Sequence, residues 1–230
     1  MDIIQSYIIY NSKEKMNSAI ILAAGTSSRF MGDNFKQFTK LYNDKTVLDI
    51  SVNAFIKNKL IKEIIIVVPY NWKEKIQSKF QNCKVIVGGD NRSESSYNGL
   101  KNCTNNCKNV LIHDAARPLV SQHIINKCIE KLELYDATVP VLETIDSILQ
   151  ISNDKVNYLD RESAKLVQTP QGFNYNKILS AYKNKEISND DFSLLINKQK
   201  NIKYYFFEGE KINFKITNKN DIIIARKLMK

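Results

Sequence analysis

The first stretch of the chain with the makings of chemistry is Ala23-Ala24-Gly25-Thr26-Ser27-Ser28, followed by Arg29 and then Lys36-Gln37. A loop of such small residues lets backbone N–H groups come close to a phosphate chain, because no bulky side chain stands in the way. Arg29 and Lys36 beyond it supply positive charge to neutralise that chain. The spacing is neither Gly-x-x-x-x-Gly-Lys-Ser/Thr nor Gly-x-Gly-x-x-Gly, so neither of those phosphate-loop signatures applies. Taken alone, the residues fit an ordinary strand–loop with two surface cations equally well.

Three further constellations bear on the choice. Gly88-Gly89 is followed by Arg92 and by Ser93, Ser95 and Ser96. A glycine pair and hydroxyls at a helix start can hydrogen-bond a nucleobase, a ribose or a phosphate, and the bland reading is a capped turn. His113-Asp114-Ala115-Ala116-Arg117-Pro118 directly follows the apolar run Val110-Leu111-Ile112. A carboxylate at the end of a buried strand, here Asp114, suits Mg²⁺, which takes one or two carboxylates together with substrate phosphates. The competing reading pairs Asp114 with Arg117, and His113 reads as a structural histidine. Asn213-Phe214-Lys215-Ile216-Thr217 sets Lys215 between apolar neighbours, and with Lys36 it would flank a triphosphate if the two converge. Thr144, Arg161 and Thr169 are polar points in a stretch of different character, where a forked arginine could recognise a second phosphate. Asp190-Asp191 reads as a charge complement to a helix N-terminus. No Gly-x-Ser-x-Gly, His-Glu-x-x-His or zinc-type Cys/His spacing occurs.

The elements that must position these residues alternate. Strands are expected at 19–22, 64–68, 84–87, 109–112, 137–141, 203–208 and 212–216, and helices at 47–57, 72–80, 93–102, 121–134, 174–182, 190–199 and 220–230, with 168–171 a turn. This order implies a Rossmann-like α/β fold with a mainly parallel sheet and helices on both faces. Ligands bind such sheets beyond the carboxyl ends of the strands, where the loops after Leu22, Val87 and Ile112 fall. From about 142 to 165 the alternation stops, and two strands around Asn153-Asp154 form a protruding hairpin arm. Its apolar residues lack a local core and would pack on a second subunit, giving a homodimer. One domain from 18 to 230 is expected, with residues 1–17 an N-terminal extension.

The 230 residues carry a formal net charge of +10 with 43% hydrophobic content. The charge motivates a nucleic-acid-binding module as a rival reading, but the lysines are scattered rather than gathered into a stripe, and no nucleic-acid partner is expected. No apolar run is long enough to span a bilayer and no secretory leader is recognisable, so a cytoplasmic protein without a membrane partner and with its four cysteines reduced is expected.

Ala23-Ala24-Gly25…Arg29…Lys36-Gln37, Gly88-Gly89…Arg92…Ser95, His113-Asp-Ala-Ala-Arg-Pro118, Pro140-Val…Thr144-Ile145, Asp160-Arg161…Gln168-Thr-Pro-Gln…Phe173 and Asn213…Lys215-Ile-Thr217 come in one order. In that order the chain resembles the 2-C-methyl-D-erythritol 4-phosphate cytidylyltransferases. The resemblance implies attack by a substrate phosphate on the α-phosphate of CTP, with loss of pyrophosphate. It implies that Ala23, Ala24 and Gly25 with Arg29 and Lys36 grip the triphosphate. Gly89 and Ser95 would read cytosine and ribose, with Asp114 and Ala115 also in the CTP site and Asp114 holding Mg²⁺ or another divalent cation. Lys36 and Lys215 would stabilise the pentacoordinate phosphorus, with Arg29 as the third catalytic cation. Thr144 and Arg161, on an arm exchanged between subunits, would bind the polyol phosphate together with Thr169. The chain departs from the family at Ser27, where a second glycine is common, at Ala164-Lys165 and at Asn189-Asp-Asp-Phe-Ser193. These departures leave a cytidylyltransferase for another polyol phosphate, such as ribitol 5-phosphate, as the alternative.

Overall fold

The computed structural model describes residues 15–25, 35–152, 155–183, 187–188 and 190–229. Continuous runs of β-branched residues make the centre of the sheet, because strands covered on both faces have no polar side to show. β1 (Met16–Leu22) lies between β4 (Ile61–Val68) and β6 (Cys107–Asp114), parallel to both. β5 (Lys84–Val87) adds to β4 in parallel. On the other side, β11 (Gln171–Asn174) runs antiparallel to β6 and to β7 (Ala137–Glu143). β7 carries β10 (Lys165–Val167) antiparallel and β12 (Tyr204–Glu208) parallel. A small hairpin, β2 (Lys40–Tyr42) with β3 (Lys45–Thr46), precedes the first helix.

Side chains alternate across a strand, and β1 shows where each set goes. Ala19 and Ile21 join Leu48, Val52 and Phe55 of α1 (Val47–Ile56), Ile76 of α2 (Lys73–Lys79) and Ile124, Ile125 and Cys128 of α4 (Gln122–Lys131) on one face. Ile20 joins Leu100 of α3 (Arg92–Lys101), Ile178 and Tyr182 of α5 (Tyr175–Tyr182) and Leu194 and Leu195 of α6 (Asp191–Lys198) on the other. α7 (Lys219–Leu228) seals a smaller cluster through Ile222 and Ala225 against Leu41, Val47 and Ile216. The helices start where side chains supply caps. Asn91, Ser121 and Asp190 accept from backbone N–H groups at the starts of α3, α4 and α6, and Thr46–Asp49 and Asn218–Asp221 form capping boxes.

The Rossmann-like architecture read from the sequence is what the structure has, with three differences in detail. The stretch 212–216 is not a strand. Its backbone is held by loops instead, with the Ile216 N–H donating to the Ala116 carbonyl at 2.8 Å and the Asn213 amide to the Thr169 carbonyl at 2.9 Å. The turn at 168–171 is flanked by two strands, β10 and β11, too short to show a period. β1 begins at Met16, so the boundary expected at 17/18 falls inside a strand; residues 1–14 lie outside the described residues. The hairpin arm is present as β8 (Ile148–Ser152) and β9 (Lys155–Leu159), which among the described residues pair only with each other. Its apolar side chains face outward, with Leu149, Ile151, Val156 and Tyr158 between 45% and 76% exposed. Among the described residues no helix is long and apolar enough to cross a membrane.

Candidate active site

Four neighbouring strands, β5, β4, β1 and β6, deliver their carboxyl ends to one edge of the sheet, and the chain beyond each is tied to its neighbour. Ala23 N–H donates to the Val67 carbonyl at 2.7 Å, Ala115 N–H to Leu22 at 3.0 Å and Gly88 N–H to Val68 at 2.9 Å. The loops therefore leave the sheet in fixed directions and enclose a cleft of about 610 Å³. Ala23, Ala24, Gly25, Lys36, Gly89, Ser95, Asp114 and Lys215, all singled out in the sequence, line it. Gln37 braces the first loop from below, its side-chain amide donating to the carbonyls of Ala23 (2.7 Å) and Gly25 (3.0 Å). Gly88 is needed for the two loops to close up. A Cβ there would lie 2.3 Å from the Ala24 Cβ and 2.8 Å from the Ser95 Oγ. The Gly89 N–H donates to the same Ser95 Oγ at 3.1 Å.

Asp114, the last residue of β6, is the electrostatic centre of the cleft. Lys215 Nζ lies 2.6 Å from its Oδ2, and the Arg92 guanidinium approaches Oδ1 at 3.3–3.4 Å. Burial by itself would raise the Asp114 carboxyl; Arg92, then Lys215 and Arg117, outweigh it and hold the group well below the usual carboxylate range. Lys215 arrives because the irregular segment carrying it is bonded to Ala116 and Thr169 on either side. Arg117 takes part in the same tether rather than in the direct pair with Asp114 that the competing reading supposes. It donates to the carbonyls of Asn213 (2.8 Å) and Val167 (3.4 Å).

Arg92 is the residue that reasoning from sequence left without a role. It is pinned by Asp191, 2.7 Å away and fully buried, which also accepts from the Tyr182 hydroxyl. Asp190 caps α6, whereas its neighbour Asp191 serves this ion pair instead of merely complementing the helix end. The sequence signals for Arg92 are its place just after the Gly88-Gly89 turn and within the ordered motifs that carry the family resemblance.

Several expected contacts do not reach the cleft. Ala115 is fully buried, with its N–H committed to Leu22, so it faces the core rather than the cavity. Thr169 is buried behind the site, where its hydroxyl accepts from the Asp114 N–H at 3.1 Å and meets His113 Nδ1 at 3.1 Å. In that place it orients the strand end and is not among the residues lining the cleft. His113 is structural, as its isolation in sequence suggests. Burial lowers its pKa to about 4, so the ring is neutral, and Nε2 lies 3.1 Å from the Arg117 carbonyl. Thr144 and Arg161 bond within the arm, to the carbonyls of Asp146 and Ile145, and neither lines the cleft of its own subunit. Arg29 and Ser27 lie outside the described residues. Among the described residues no three His, Cys, Asp or Glu side chains gather as a ready-made metal site.

Small-residue loops at the carboxyl edge of a Rossmann-like sheet, with cations around one strand-end aspartate, define a nucleotidyltransferase. The family model for 2-C-methyl-D-erythritol 4-phosphate cytidylyltransferase matches residues 17–230, and the chain belongs to that family. It is 36% identical over 234 residues to the Clostridium botulinum 2-C-methyl-D-erythritol 4-phosphate cytidylyltransferase, covering 93% of this chain and 97% of that protein. It is 42% identical over 212 residues to a bifunctional IspD/IspF enzyme of Pelagibacter ubique, covering 90% of this chain and 56% of that longer protein. The solved structure of 4-diphosphocytidyl-2C-methyl-D-erythritol synthase from Anaerococcus prevotii superposes with a TM-score of 0.82 at 27% identity, covering 94% of this chain and 96% of that one.

Proposed function

We propose that this chain transfers CMP from CTP to 2-C-methyl-D-erythritol 4-phosphate with release of pyrophosphate. The observation that carries the proposal is the cluster of Asp114, Lys215 and Arg92 facing the small-residue loop across a cleft open to solvent. Phosphoryl-type transfer asks for positioning and positive charge rather than a protein nucleophile. In the reaction a phosphate oxygen of the acceptor bonds to the α-phosphorus of CTP as the bond from that phosphorus to the bridging oxygen breaks, and the electron pair leaves with pyrophosphate. The N–H groups of Ala24 and Gly25, with Ala23 at the start of the loop, flank the triphosphate, and Lys36 and Lys215 offset the charge that builds on the α-phosphate, with Arg29 as a further cation. Gly89 and Ser95 meet the nucleoside.

The residues fit a divalent cation of the magnesium type. Asp114 is an ionised strand-end carboxylate whose oxygens each keep acceptor capacity beyond one cationic partner, and Mg²⁺ needs few protein ligands when phosphates supply the rest. Asp114 would hold it, and the bound cation would draw charge from the phosphate oxygens.

The arm supplies the reason to place the acceptor site between two subunits. Thr144 and Arg161 stand away from the cleft of their own chain, on a hairpin whose apolar side chains are exposed. A homodimer in which each arm completes the other's cleft satisfies both facts. Co-expression of Arg161→Ala with Lys215→Ala tests it. Each variant alone is inactive, whereas mixed dimers contain one intact cleft, so about a quarter of wild-type activity returns under random pairing. No recovery in verified mixed dimers refutes the exchange. The acceptor is settled by pyrophosphate release from CTP and Mg²⁺ with methylerythritol 4-phosphate against ribitol 5-phosphate. Turnover with the first is expected; turnover with the second alone overturns the assignment and leaves the CTP site standing.

A further inference from the structure

We infer that Tyr70 is the face on which the cytosine ring stacks, making it a determinant of nucleotide affinity. The inference rests on the nucleotide reading above and adds a residue to it. Tyr70 follows β4 directly, after Pro69, and lines the cleft while 79% exposed. It is the one aromatic residue among the described residues lining that cavity, whose remaining walls are small, polar, charged or aliphatic. Those walls answer the phosphates and the edge of a base; none of them offers a flat apolar surface to its face.

The register puts Tyr70 in the right place. Val68 of β4 pairs with Val87 of β5, and the Gly88 N–H extends the ladder to the Val68 carbonyl. Beyond that bond Pro69 and Tyr70 from one strand end and Gly88 and Gly89 from the next line the same cleft. Gly89 is the residue expected to meet the nucleoside, and Tyr70 lines the same cavity from the neighbouring strand end.

The backbone under Tyr70 is also held firmly. Its short 3-10 turn closes with the Trp72 N–H on the Pro69 carbonyl at 3.0 Å. The Trp72 ring stacks on Phe38 at 3.7 Å between centroids with 13° between planes, and Lys75 Nζ lies 4.8 Å above the Trp72 ring. Phe38 adjoins Gln37, which braces the Ala23–Gly25 loop, so the turn is packed against the segment that supports the phosphate side of the cleft. A tyrosine so mounted has only two side-chain torsions to fix on binding.

The test measures binding without turnover. CTP and inorganic tripolyphosphate are each titrated, in the same Mg²⁺ buffer, into wild type, Tyr70→Ala, Tyr70→Leu and Tyr70→Phe, with melting temperatures recorded for all four. Stacking predicts that Ala and Leu weaken CTP about tenfold, in the range typical of base–aromatic contacts, while tripolyphosphate changes less than twofold and Phe restores CTP binding. Wild-type affinity for CTP in the Ala variant, or in the Leu variant that keeps bulk without a ring, overturns the inference. So does an equal loss of CTP and tripolyphosphate. Wild type that binds tripolyphosphate but not CTP fails the nucleotide reading itself, a result distinguishable from either.

Discussion

Lys215 and Asp114 stand 101 positions apart in the chain and 2.6 Å apart in the cleft. Replacing Lys215 by Met leaves Asp114 with Arg92 as its near cation and removes a charge aimed at the reacting phosphate. A loss of about 10²–10³ in kcat/KM is expected, the range seen when one donor to a developing anion is deleted. Steady-state pyrophosphate release checks it, and a loss under fivefold would take Lys215 out of catalysis. Asp191→Asn acts at one remove, since it frees Arg92. The buried Tyr182 hydroxyl keeps an amide oxygen to bond, so folding persists while the Mg²⁺ concentration for half-maximal rate shifts upward; an unchanged Mg²⁺ profile would count against a role for the Arg92–Asp191 pair. Asp114 was legible in the sequence because it ends an apolar run that had to stop at the sheet's edge, and Lys215 because it sits between apolar neighbours in one of the ordered motifs, although the stretch around it is not a strand. Arg92 and Asp191 were not, because an ion pair between two helix starts leaves no mark in the local pattern of either. Thr169 and Ala115 show the reverse. Their place in a motif suggested the cleft wall, and the structure commits the Thr169 hydroxyl and the Ala115 N–H to bonds within the chain.

Among the elements, α3 is the one whose position the cleft depends on most, since it carries Arg92 and Ser95. It packs on β1 through Gly99, where an added Cβ would come within 2.6 Å of the Ile20 Cγ2. Gly99→Ala gains about 1 kcal/mol of helix propensity. Overpacking against a fully buried isoleucine costs about 1–3 kcal/mol, so the variant is expected to lose stability, read as a lower urea midpoint with an unchanged m-value. A gain in midpoint would show that Ile20 can give way. The long β-branched strands and the capped helices followed from the sequence, since burial on both faces and Asx or Ser caps are local signals. The strands β10 and β11 did not, because pairing with β7 and β6 rather than composition makes them strands. The same fact explains 212–216, an apolar alternation that finds no neighbouring strand to pair with.

At the scale of the whole molecule, two apolar layers close over the sheet and take all four cysteines out of solvent. Burial pushes the Cys83 thiol up to about 11 and Cys128 up to about 12. A folded-state thiol pKa above its unfolded value near 9.0 gives stability that is complete below that value and is lost as pH rises through the folded one. The denaturation midpoint is therefore expected to fall between about pH 9 and 12, with thiol reagents at pH 8 reacting slowly until denaturant is added. Rapid labelling of native protein would contradict the burial. Binding works on the same balance from the other side, so CTP with Mg²⁺ should raise the melting temperature in proportion to the logarithm of its concentration. The pairing of Lys215 with Asp114 gives that ligand dependence a particular form. A cleft built for phosphates already contains an anion of its own. Every incoming phosphate competes with a resident carboxylate for the same ammonium group, so its affinity is the difference between two ion pairs. Sparsely charged phosphates gain little from that exchange and a triphosphate gains much, which makes the pocket a discriminator of charge.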